Sequence, residues 1–153
     1  MNIIVLGAGT FGTAIANELS VNRANTVLLY SKNEEKVLEI NSQHTNRSFF
    51  PNKQLTKQLK ATSDESIFQN ASVIFIALPS DKIINSLKGL KPYFKEDVLL
   101  VNLSKGLFNN GLTIVESIKN ELNCNNVVTL KGPSFAVEVV EHADTLLTLG
   151  FTN

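Results

Sequence analysis

Gly7, Gly9 and Gly12 stand directly behind an apolar run of strand formers, Ile3-Ile-Val-Leu6, and open a stretch compatible with a helix. Glycines at that spacing and in that setting let backbone close around a diphosphate. Gly7 permits the tight turn out of the strand, Gly9 leaves no Cβ in the way of a pyrophosphate, and Gly12 lets the helix pack closely on the strand. The anion would rest on the helix N-terminus, where free N–H groups and the positive end of the dipole favour it. A dinucleotide is the ligand this pattern predicts.

The remaining chemistry-bearing residues also follow candidate strands. After Gly7-Ala-Gly-Thr-Phe-Gly12 come Ser31-Lys-Asn33, Leu78-Pro-Ser80, Ser104-Lys-Gly106 and Lys131-Gly-Pro-Ser-Phe-Ala136. Ligands of open parallel sheets collect at the carboxyl ends of the strands, so all five segments are expected on one rim. An acid after the second strand would hold the adenosine ribose; Ser31 and Lys32 stand there instead and can accept a phosphate, which allows NADP and leans toward it over NAD. Glu34, one turn into the next helix, is the alternative carboxylate for the ribose. Lys105, beside the permissive Gly106, could hold a substrate hydroxyl or anion near a nicotinamide. Gly132-Pro133-Ser134 reads first as a turn and second as a contact to a small polar ligand.

His44 and His142 have no partners at metal-ligand spacing, and no serine-histidine-acid arrangement is supported, so neither a metal site nor a nucleophile is expected. His142 reads as an exposed loop residue. His44 and Arg47 share a loop with Phe49, Phe50 and Pro51, where either an anionic substrate or solvent would meet them. Cys124, among asparagines, has no evident activating partner and is expected to be inert.

These residues need elements to position them, and strands and helices alternate along the chain. The spacing of Ile15 and Leu19 predicts a helix over Phe11–Val21, followed by a strand over Thr26–Tyr30. Ser31 and Glu34 form a candidate capping box for the next helix, whose buried side would be Val37, Leu38 and Ile40. Residues 42–58 read as a long loop, of the kind often tied to function. A short strand is expected over Leu59–Thr62, a short helix capped by Ser63 over Asp64–Asn70, and a buried strand over Ser72–Ala77. Ser80 or Asp81 would cap a helix ending near Leu90. Strands at Asp97–Asn102, Asn126–Leu130 and Thr145–Leu149, with helices at Thr113–Leu122 and Phe135–Val140, complete the alternation. Continuous apolar strands such as Ser72–Ala77 belong where helices cover both faces of a parallel sheet. The expected fold is α/β, a Rossmann-type doubly wound, mostly parallel sheet with right-handed crossovers.

The 153 residues suit one domain, 1–153, and the 14 basic and 14 acidic side chains cancel. That balance disfavours a nucleic-acid partner. One cysteine and the lack of a long apolar run or basic leader predict a cytoplasmic protein without a membrane partner; a homodimer stays open.

Taken in order, Gly7-Ala-Gly-Thr-Phe-Gly-Thr-Ala14, Asn41-Ser-Gln-His-Thr-Asn46 with Phe50-Pro51, Leu78-Pro-Ser80, Ser104-Lys-Gly-Leu107 and Gly132-Pro-Ser-Phe-Ala136 resemble the amino-terminal half of bacterial NAD(P)-dependent glycerol-3-phosphate dehydrogenases. The resemblance implies a cofactor, NADP or NAD, held by Gly7, Gly9, Thr10, Phe11, Gly12, Lys32, Pro79, Lys105 and Ala136. It implies a small phosphorylated substrate touched by Lys105, Gly132 and Ser134, and hydride transfer between glycerol 3-phosphate and dihydroxyacetone phosphate in phospholipid synthesis. Departures from the family pattern are Lys131 before the Gly-Pro pair, Lys32 itself, and a longer turn at Asn22–Asn25. In that family the proton-transferring lysine belongs to a helical carboxyl-terminal domain, which leaves no catalytic residue expected in residues 1–153 and predicts nucleotide binding without turnover. Alternatives are the cofactor domain of a ketopantoate reductase-like dehydrogenase and a stand-alone nucleotide-binding module.

Overall fold

The structure is a computed structural model that describes residues 1–106 and 111–151. Seven strands form one sheet in the order β3-β2-β1-β4-β5-β6-β7. They are β1 (Asn2–Leu6), β2 (Thr26–Tyr30), β3 (Lys60–Thr62), β4 (Val73–Ile76), β5 (Leu99–Asn102), β6 (Val127–Lys131) and β7 (Thr148–Gly150). The first six are parallel, and β7 returns antiparallel to β6. The helices are α1 (Thr10–Val21), α2 (Glu34–Gln43), α3 (Ser80–Leu90), α4 (Ile114–Leu122) and α5 (Ala136–Val140). The expected mostly parallel, doubly wound sheet is thus present, and its winding reverses between β1 and β4.

Alternation along the strands builds two cores. Ile3 and Val5 of β1 pack with Val27, Leu29, Val101 and residues of α1, α2 and α5 on one face. Ile4, Leu6, Ile74 and Ile76 pack with Ile83 and Leu87 of α3 and Ile118 of α4 on the other. Burying both faces explains why the central strands carry so few polar residues.

The loop 44–59 is fastened to the first core by Phe50, Leu55 and Leu59. Polar anchors add to this: Asn46 Nδ2 donates to Ala8 O (3.2 Å) and Thr13 Oγ1 (2.8 Å), and Thr56 N–H donates to Asn17 Oδ1 (2.7 Å). At the sheet edge, the Asn41 side chain accepts from Ala61 N–H at 2.9 Å and donates to Ala61 O at 2.8 Å, so an amide occupies the position of a neighbouring strand.

Several local expectations are corrected. Ser31 does not cap α2: its hydroxyl oxygen accepts from Asn33 N–H (3.2 Å), its own N–H donates to Thr62 O (3.0 Å) in the sheet, and Asn33 caps instead, accepting from Lys36 N–H at 2.9 Å. Leu38 lies on the solvent side of α2, 68% exposed. Asp64, not Ser63, caps the next segment, which is a 3₁₀ helix over Glu65–Asn70. Neither Ser80 nor Asp81 caps α3; Pro79 takes the N-cap position without a side-chain hydrogen bond. The last strand starts at Thr148 rather than Thr145, because Thr145 and Leu146 bond to Ser134 instead of joining the ladder. Leu107 lies outside the described residues, as does Asn153.

Candidate functional site

The rim at the carboxyl ends of the parallel strands carries two adjoining cavities. The smaller, about 320 Å³, is lined by the Gly7–Gly9 turn, by Tyr30 to Asn33 after β2, and by Lys36 and Ser86. The larger, about 590 Å³, is lined by Gly9, Thr10 and Phe11, by Ser104 and Lys105 after β5, and by the segment Leu130–Ala136 in part. Gly9, Phe49, Ala77, Leu78 and Pro79 belong to both. The two therefore form one trough across the β1/β4 reversal, where open α/β sheets bind their ligands. All five strand-end segments line it.

The glycines of the first turn divide into two kinds. A Cβ on Gly7 would fall 2.5 Å from Ala77 O, and Gly7 also has φ +112°; a Cβ on Gly12 would fall 2.0 Å from Gly7 O. Gly7 lets the turn pass against the end of β4, and Gly12 lets α1 pack on that turn. Gly9 differs, with ordinary φ of −80° and nothing within 4 Å of its missing Cβ. Its bare surface opens on the trough at the point where both cavities meet. Above it, α1 begins without a side-chain cap and without an acid in its first turn. The first N–H to bond within the helix is that of Thr13, to Gly9 O at 2.9 Å, so the preceding N–H groups are left for another acceptor. A pyrophosphate fits this cradle sterically and electrostatically.

The other expected site residues distribute along the trough. Lys32 lines the smaller cavity, but its ammonium lies 3.7 Å from Glu65 Oε1. Pro79 forms the shared floor, and Lys105 and Ala136 lie in the larger cavity. Gly132 and Ser134 are there too, yet both are engaged within the protein. A Cβ on Gly132 would meet Leu146 O at 2.2 Å, while the Ser134 hydroxyl donates to Leu146 O (2.8 Å) and accepts from Thr145 Oγ1 (2.6 Å). Glu34 does not line either cavity.

Residues far from the motifs complete the walls. The Lys36 ammonium lies 4.4 Å over the Phe49 ring and 3.5 Å from Ala8 O, a cation–π contact within the smaller cavity. Asn46 supports the glycine turn from below through its bond to Ala8 O. Tyr30, buried edge-on against Phe68 at 5.1 Å, donates to Glu65 Oε1 at 3.0 Å. Burial, with the bond to Glu65 second, pushes its hydroxyl up to about 12. Phe49 and Asn46 were signalled in the sequence by the long loop 42–58, and Asn46 also by the motif Asn41-Ser-Gln-His-Thr-Asn46; Lys36 and the Tyr30–Glu65 contact carried no such signal.

His44 and Arg47 do not join the trough. His44 ends α2 with φ +54°, and Arg47 is exposed, its N–H donating to Glu39 Oε1 at 2.8 Å. His142 is exposed and paired with Glu18. Cys124 is half-buried at the opposite end of the sheet, lining a separate hollow with Leu122 and Lys91. No cluster of metal-ligating side chains occurs among the described residues.

Comparison with known proteins agrees with this geometry. A sequence profile described as NAD-dependent glycerol-3-phosphate dehydrogenase N-terminus matches residues 2–153. A glycerol-3-phosphate dehydrogenase [NAD(P)+] of Neorickettsia sennetsu is 34% identical over 100% of this chain and 46% of its own length. One from Mesoplasma florum is 32% identical over 97% of this chain and 46% of its own. The crystal structure of the Coxiella burnetii glycerol-3-phosphate dehydrogenase superposes with a TM-score of 0.87 at 28% identity, covering 97% of this chain and 46% of that one. The chain spans about half the length of these relatives.

Proposed function

Since the chain belongs to the family of NAD-dependent glycerol-3-phosphate dehydrogenase N-terminal domains, we propose that residues 1–153 are the NAD(P)-holding unit of an enzyme interconverting glycerol 3-phosphate and dihydroxyacetone phosphate. The observation that carries this is the trough itself, continuous across the sheet reversal and open above Gly9. Gly7, Gly9 and Gly12 with the first N–H groups of α1, Thr10 and Phe11 included, hold the pyrophosphate. Lys32 stands at the adenosine end; Pro79, Lys105 and Ala136 stand at the nicotinamide end. Bound there, the cofactor supplies hydride exchange with C2 of the substrate.

Lys105 meets the phosphorylated substrate from the wall of the larger cavity, while Gly132 and Ser134 hold the backbone that shapes the wall. The hydroxyl at C2 must also exchange a proton. On our reading that step falls to a lysine in a helical carboxyl-terminal domain, as the sequence resemblance implies, so this unit binds nucleotide and contributes geometry rather than the base. Its role lies in glycerophospholipid synthesis in the cytoplasm. No helix among the described residues is long and apolar enough to cross a membrane.

Calorimetric titration of the chain with NADH and NADPH tests the reading. Saturable binding of at least one with submillimolar affinity supports it. Binding of neither at millimolar concentration overturns it.

A further inference from the structure

Dinucleotide-binding sheets ordinarily keep a carboxylate after the second strand to hold the adenosine ribose. Here that turn carries Ser31 and Lys32, and a carboxylate stands behind them on Glu65, the first residue of the 3₁₀ helix that follows β3. Tyr30 at the end of β2 lies opposite Thr62 at the end of β3, and Ser31 N–H donates to Thr62 O at 3.0 Å. The turn after β3 therefore sits beside the turn after β2. From it Glu65 accepts the Tyr30 hydroxyl at 3.0 Å and approaches the Lys32 ammonium at 3.7 Å.

The two partners are not equally held. The Lys32 side chain is 75% exposed and the Glu65 side chain 37%. Glu65 is fixed by a buried tyrosine that is itself packed on Phe68. Asp64, beside it, adds a second negative charge at this end, and Lys36, the other cation of the smaller cavity, is turned to Ala8 O and Phe49.

We infer that Glu65 is a specificity-determining residue for the cofactor: by holding the charge of Lys32 it sets the chain to favour NAD(H) over the 2′-phosphorylated NADP(H). This rests on the dinucleotide reading above. Glu65 lines neither cavity and acts through Lys32: a ribose diol needs no cation there, whereas a 2′-phosphate meets an ion pair whose charges cancel and a flanking acid. Lys32, which by sequence suits a phosphate, is thereby withdrawn from it.

The test is calorimetric titration of the chain and its variants with NADH and with NADPH. The unaltered chain is expected to bind NADH more tightly. Glu65→Gln keeps an oxygen for Tyr30 and frees Lys32, and should tighten NADPH about tenfold, the scale of one unscreened charge contact near a surface, while NADH changes less than about threefold. Adding Lys32→Ala to Glu65→Gln should remove that gain. Lys32→Ala alone should weaken NADPH less than the same substitution does in the Glu65→Gln background, because in the unaltered chain the charge is already paired. A tighter NADPH complex in the unaltered chain, an equal loss from Lys32→Ala in both backgrounds, or no NADPH gain in Glu65→Gln while NADH still binds would overturn the inference and leave the dinucleotide reading standing. Binding of neither nucleotide would overturn both.

Discussion

Gly9 and Gly12 are the same residue three positions apart, yet they answer to different partners. Gly12→Ala places a Cβ against Gly7 O inside a packed contact, and should cost at least about 2 kcal/mol of stability in urea titration. Gly9→Ala meets no protein atom and keeps an ordinary backbone angle, so stability should stay within about 0.5 kcal/mol. Its loss should appear in dinucleotide affinity, on the order of tenfold or ~1.4 kcal/mol by calorimetry. An unchanged affinity in Gly9→Ala would remove the diphosphate from this turn. Such glycines are legible in sequence because their constraint is local. Gly132 and Ser134 were legible as important but not in kind: the turn was visible, while the approach of Leu146 that occupies both was not. Glu65, Lys36 and Phe49 gave still less signal, and Asn46 only that of its motif, because Lys36 and Phe49 meet in the trough, and Glu65 and Asn46 stand behind its wall, only once the sheet is assembled. Asn46, for example, supports Ala8 from 38 positions away.

Two helix starts display the same sequence signature and different outcomes. Thr113-Ile-Val-Glu116 forms a full capping box: Glu116 N–H donates to Thr113 Oγ1 at 3.2 Å, and Thr113 N–H donates to Glu116 Oε2 at 2.8 Å. Ser31-Lys-Asn-Glu34 does not, since a box needs a free N–H at its first residue and the sheet has taken the one on Ser31. Element types and order were readable from periodicity because apolar spacing decides them; caps and ends were not, because hydrogen bonds to distant strands do. Thr113→Ala should destabilise the domain by about 1 kcal/mol. The Thr113 hydroxyl, with its N–H second, holds the Glu116 carboxyl below the ordinary carboxylate range. A depressed folded pKa stabilises above the unfolded value and ceases to as pH falls through the folded one. The stability gap between the parent and Thr113→Ala should therefore narrow in acid below the ordinary carboxylate range, as measured by urea midpoints against pH. A gap constant down to the depressed value would refute the coupling.

At the scale of the molecule, ligand and fold share one framework, since the trough is walled by the ends of β1, β2, β4, β5 and β6 and by the loop pinned through Asn46. A dinucleotide that binds only this assembled rim stabilises it: at about a hundred times Kd the gain is about 2.7 kcal/mol, or about 5 to 10 °C in melting temperature for a domain of this size. Thermal melts with and without saturating nucleotide measure it. Binding without any rise would mean that the unfolded chain takes the nucleotide as well as the assembled rim does. The sheet's outer margins bear on what such samples do at high concentration. β3 and β7 are only three residues long, and on the β3 side the Asn41 amide already fills both hydrogen-bonding groups of Ala61. A strand from another molecule arriving there finds its rung taken, so one asparagine guards the domain against growing into a fibre by edge-to-edge pairing.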